Sequence, residues 1–164
     1  MTEPDWHAFL RALDKPLAPK RDWLTWPDGW EAPLDFDLAA SKARFTHLTT
    51  LLTDLFGGAV DTSRGPQDSA LFGEVGIPAA LTKTRPKPTE RPLSITLYIS
   101  NFGIATCQPY AHLHDDDQAR VELASAEAGY PLVPGPVIDS PYDGPNSGVG
   151  TEDWTWFIRF FDYL

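Results

Sequence analysis

A chain of 164 residues, 42% of them hydrophobic, falls within the size of one domain and carries enough apolar material for a core without disulfide or metal support. Thirteen basic against 23 acidic residues leave a net charge of −10, a field that repels nucleic-acid phosphates and anionic lipid and attracts basic ligands. The lone Cys107 excludes an internal disulfide, no stretch approaches the roughly 18 apolar residues of a membrane span, and the opening MTEPDWHAFL lacks the basic start and apolar run of a secretory signal, so a cytoplasmic setting is expected.

Residues 1–34 combine a short helical stretch, Trp6 to Leu13, with an irregular segment in which prolines 16, 19, 27 and 33 forbid a continuous helix. Trp6, Trp23, Trp26 and Trp30 are too large to leave wet, so this Trp/Pro-rich arm is expected to pack over the core. Residues 36–56 form the clearest helix. Asp35 or Asp37 caps its start, Leu38, Phe45, Leu48, Leu52 and Leu55 give it an apolar face, and Gly57-Gly58 stops it.

The polar stretch VDTSRGPQDS follows, and then ALFGEVGIPAAL reads as a weak or edge strand broken by glycines and ended by Pro78. Lys83, Arg85, Lys87 and Arg91 stand in a proline-rich loop with no aromatic side chain interleaved, which suits a solvated tip better than a nucleic-acid platform. From Leu93 to Ser100 apolar and polar residues alternate strictly, Asn101-Phe102-Gly103 reverses the chain, and Ile104 to Gln108 returns as the partner strand of an antiparallel hairpin. Cys107 lies in that return strand, where a buried structural thiol is expected.

A second helix is predicted over 115–128, with Asp115, Asp116 and Asp117 at its positive N-terminus, Val121, Ala124 and Ala128 on one face, and Gly129 as its stop. The 21 residues from Tyr130 to Gly150 are rich in proline and glycine and read as a long loop in which only Val137-Ile138 could pair as a strand. The segment TEDWTWFIRFFDYL reads as a helix capped by Thr151, with Trp154, Phe157, Ile158, Phe161 and Leu164 as its buried stripe; a period-two strand with Trp154, Trp156, Ile158 and Phe160 on one side is the alternative. Helices and antiparallel strands that segregate along the chain give an α+β class: a small antiparallel sheet with helices packed on one face, in a single domain spanning residues 1–164.

The chemistry-bearing residues point away from catalysis. His112 and His114 lie next to Asp115, Asp116 and Asp117 in a run that could begin a metal site, but no histidine follows His114 to complete the ligand set. No nucleophile elbow, dinucleotide fingerprint or phosphate loop occurs, and neither a catalytic residue nor a cofactor is expected. A small enzyme with a dispersed site around His112 and His114 stays open as an alternative, as does a general protein-interaction module marked by an exposed apolar groove.

Charge asymmetry is the stronger signal. Residues 1–109 hold 13 acids and 11 bases, whereas residues 110–164 hold 10 acids against Arg120 and Arg159 alone. Asp115, Asp116, Asp117, Asp139, Asp143, Glu152 and Asp153 are therefore the candidate contacts for a basic protein partner, although the aspartates at 115–117 also suit a helix start. A small acidic domain with the hairpin LSITLYISNFGIATC and the aromatic segment WFIRFFDYL resembles immunity proteins of bacterial polymorphic toxin and contact-dependent inhibition systems. That resemblance implies a non-catalytic protein that binds and neutralises a cognate toxin with a basic surface.

Overall fold

The computed structural model describes residues 5–17, 31–64, 73–83, 93–147 and 153–161. Helix α1 (Trp6–Leu13) begins where the Asp5 side chain accepts from the Ala8 N–H. Helix α2 (Leu38–Phe56) is capped in the same way by Asp37, which accepts from Ala40 N, and it ends at Gly57, whose φ of 70° is the left-handed turn that glycine adopts freely. Phe45, Leu48, Leu52 and Phe56 recur on one face of α2 and are buried.

Strands β1 (Asp61–Arg64), β2 (Gly73–Ile77), β3 (Ile95–Ile99) and β4 (Ala105–Gln108) form one antiparallel sheet in sequential order. β3 and β4 are the hairpin read from the alternating pattern, with Leu97 opposite Cys107 and Gly103 at a φ of 76° in the reversal. Two strand assignments are corrected. The polar residues Asp61–Arg64 form an edge strand, and β2 lies inside the sheet between β1 and β3. Gly73, which weakens the strand signal, is required there, because a Cβ would lie 2.4 Å from Phe45 Cε2.

Val75, Ile77, Ile95, Leu97 and Ile99 point from the sheet to α2 and to α3 (Asp115–Glu127), forming the larger core cluster with Val121 and Ala124. The end of α3 is a Schellman turn: Tyr130 N donates to Ser125 O, Gly129 N to Ala126 O, and Gly129 has a φ of 77°. A second cluster gathers Leu10 of α1, Phe102 and Ile104 of the hairpin end, Ile138, and Trp156 and Phe160. Tyr98, on the other face of β3, meets Phe157 edge-on there.

The proline- and glycine-rich passage is ordered over its described residues, and the strand expected at Val137-Ile138 is instead the short helix α4 (Gly135–Ile138), started by Pro134 and Pro136. Ala105 and Leu132 form a parallel bridge, and Pro141 bridges Thr155, so the passage is tied to the sheet and to the C-terminal segment. That segment is the helix α5 (Trp156–Phe161), and the predicted stripe is out of phase. Trp156, Arg159, Phe160 and Phe161 are buried, while Trp154, Phe157 and Ile158 are only half-buried. The stripe was misplaced because an arginine, normally a surface residue, occupies one of its inward positions. Trp23, Trp26, Trp30, Thr151, Glu152 and Leu164 lie outside the described residues. Among those described, no helix is long and apolar enough to cross a membrane.

Candidate functional site

Of the two arginines of residues 110–164, Arg159 is turned inward and Arg120 is half-buried and paired. Arg159 is wholly buried, with Nη2 2.7 Å and Nε 2.9 Å from Asp14 Oδ1, and its guanidinium carbon lies 4.7 Å from the centre of the Phe102 ring. Asn146 Nδ2 donates to the same Asp14 oxygen at 3.0 Å, Tyr142 donates its hydroxyl to Asp14 Oδ2, and Asn146 Oδ1 accepts from Leu17 N. Burial pushes the Tyr142 hydroxyl above its ordinary range, and the bond to Asp14 pushes it further. Arg120 pairs with Asp117 at 3.2 Å and lies over the Phe56 ring.

Seven candidate acids were read from the sequence, and the structure separates them into two groups. Asp115, Asp116 and Asp117 form the first turn of α3, after His114, whose Nδ1 accepts from Asp116 N. Asp117 is withdrawn as a contact residue. It is fully buried and accepts both Lys83 N, at 2.6 Å, and Arg120, so a helix-start carboxylate is spent on fastening the chain that leaves β2. Asp116 is exposed but pairs with Lys83 Nζ, and that hydrogen bond and charge hold its carboxyl below the usual carboxylate range. Asp115 is exposed with no ion pair among the described residues.

Asp139, Asp143 and Asp153 form the other group. Tyr142 N donates to Trp154 O at 2.8 Å and Trp156 N to Ser140 O at 3.2 Å, making residues 140–142 and 154–156 a two-stranded ribbon. Asp139 and Asp143 flank one of its strands, and Asp153 precedes the other beside Asp143. All three are exposed. Asp143 accepts from Arg11 Nη2 at 2.5 Å and Nε at 3.3 Å, which lowers its carboxyl from the usual range. Asp139 and Asp153 have no such cation among the described residues. Glu152 lies outside them.

The remaining sequence candidates take structural places. His112 is exposed in a 3-10 turn (Tyr110–His112), His114 caps α3, and no group of three His, Cys, Asp or Glu side chains among the described residues is placed to hold a metal. Cys107 is buried in β4, and desolvation pushes its thiol up to about 12. The buried Asp14–Arg159 pair was not read from the sequence. Its partners are 145 residues apart, and Arg159 sits in an apolar run whose charge was counted only as a surface term. Comparison with protein-family models, with curated proteins and with solved structures finds no match.

Proposed function

We propose that this is a non-catalytic immunity-type protein that acts in the cytoplasm by seating a basic toxin domain on its acidic surface. The observation that carries the reading is the opposite placement of the two charge signs in the last third. Arg159 is buried and Arg120, half-buried, is held by Asp117, while Asp115, Glu122, Glu127, Asp139 and Asp153 face solvent with no ion pair among the described residues, and Asp143 faces it beside Arg11. An exposed surface of one sign speeds the approach of a partner of the other sign and disfavours like-charged competitors. The ribbon supplies the sturdiest part of that surface, because Trp156, Ile138 and Phe160 anchor it from beneath.

The test takes the protein encoded by the reading frame adjacent to this one and asks whether its C-terminal portion is a toxin. Expressed alone it should arrest growth, and coexpression of this protein should restore it. Association should slow as salt rises from low to physiological strength, and Asp139→Asn combined with Asp153→Asn should slow it further while changing dissociation less. Absence of rescue, or association indifferent to salt and to both substitutions, overturns the reading.

A further inference from the structure

Between α1 and α3 the surface opens into two adjoining recesses, of ≈ 460 Å³ and ≈ 210 Å³, with Trp6, Glu122 and Leu132 lining both. Pro131 and Ser125 belong to the larger and Tyr110 to the smaller. The walls are mainly apolar, so what distinguishes a ligand is the short list of polar groups. Tyr110 donates its hydroxyl hydrogen to Glu122 Oε1, which leaves the phenol oxygen only its lone pairs for a visitor. The Glu122 carboxylate can only accept, and no cation pairs with it among the described residues. Ser125 is 1% exposed, with its Oγ sealed from solvent and its carbonyl taken by Tyr130 N in the Schellman turn, so it contributes wall and no polar contact.

An apolar cleft with an aromatic wall, a carboxylate and a phenol oxygen beside it complements a cation on an apolar stem. Arginine fits better than lysine, because its flat guanidinium stacks on an aromatic face and divides several donors among separate acceptors. We propose that this cleft is the anchor pocket for an arginine side chain of the basic partner: the guanidinium bonds the Glu122 carboxylate and the Tyr110 oxygen, and the stem lies against Trp6 and Leu132. The inference rests on the function proposed above, which supplies the basic partner, and it places that partner's principal contact beside α3 instead of on the 139–156 ribbon.

The isotope-labelled full chain is titrated with the peptide Ac-Gly-Arg-Gly-NH2 and, separately, with the same peptide carrying citrulline, while amide and indole N–H resonances are followed. Saturable shifts of the Trp6 indole and of the Ser125 and Ala126 amides are expected with arginine and not with citrulline. Glu122→Gln should weaken them about tenfold, the worth of one charge-assisted contact. Ala126→Phe, at an exposed position lining the larger recess, should block them by occupancy and keeps the test available if the Gln variant is poorly folded. Equal shifts with citrulline overturn the pocket. Shifts confined to Asp139 and Asp153 and erased by salt overturn the pocket while sustaining the acidic-surface function, and no shift at either place overturns the pocket and leaves that function to the rescue experiment.

Discussion

Asp14 and Arg159 form the one ion pair among the described residues in which both side chains are wholly buried. Neither charge has water to fall back on, so each depends on the other and on the hydrogen bonds from Tyr142 and Asn146. Removing one partner strands the other, at a typical cost of about 3–5 kcal/mol against a total stability of about 5–15 kcal/mol. Arg159→Met and Asp14→Leu should each show that loss in urea denaturation. The double variant should lose less than the sum, although more than nothing, because Tyr142 and Asn146 would still lack their acceptor. Additive losses would show that the two residues act independently.

The phase of α5 is checked by a second pair of truncations. Trp156 is fully buried, stacked 5.6 Å from Phe160 and edge-on to Tyr142 at 4.7 Å, whereas Trp154 is half-buried. Trp156→Ala should cost about 3–5 kcal/mol and Trp154→Ala less than half of that in thermal and urea melts. The reverse ranking would restore the stripe expected from periodicity.

Gly73→Ala tests the contact between β2 and α2. The added methyl would collide with the Phe45 ring, which is itself 2% exposed and has little room to move. Overpacking of this kind costs about 1–3 kcal/mol, so the variant should melt earlier with its strand content intact. A Phe45→Leu background should recover part of the loss by making room.

The two exposed ion pairs have a pH signature of defined sign. Lys83 and Arg11 hold the Asp116 and Asp143 carboxyls below their ordinary range, so the stabilisation they give is present above the unfolded carboxylate range and is lost as pH falls through the folded values. Carboxyl carbon NMR should show both groups titrating late on acidification. Lys83→Met should return Asp116, and Arg11→Gln should return Asp143, toward the ordinary value, and molar salt should do much of the same. An unmoved titration in either variant would show that another group holds the charge.

Cys107 shifts in the other direction. With its thiol pushed up to about 12, the folded protein disfavours the thiolate, so the stability this gives is full below the unfolded thiol value near 8.5 and declines as pH rises from there toward 12. At pH 8 a thiol reagent should modify the native protein only at the rate at which it opens, and should modify urea-unfolded chain immediately. Rapid native labelling would show that β4 is accessible.

Legibility followed the range of the interaction. The Asp37 cap, the Gly57 stop, the 93–108 hairpin and the Gly129 stop depend on neighbours within a few residues, and all of them stand in the chain as spelled. β1 escaped notice because an edge strand needs no apolar alternation, and β2 looked marginal because Gly73 answers to Phe45 on another element. The same holds for charge. The acid excess of the last third could be counted, yet which acids are available depends on Lys83, Arg11 and Arg120 arriving from elsewhere, and that removed Asp117. The α1–α3 cleft has no local signature, since its walls come from residues 6, 107, 110, 122, 125, 126 and 129–134.

The split between the two core clusters also sets a timetable. The larger cluster draws only on residues from Phe36 to Leu132, so nothing it needs comes from α1 or α5. The smaller one joins Leu10 to Trp156 and Phe160, and Asp14 must wait for Arg159. In refolding from urea the sheet with α2 and α3 can close while α1 still presents Trp6, Phe9 and Leu10 undocked, a transient apolar face that only the docking of α5 withdraws.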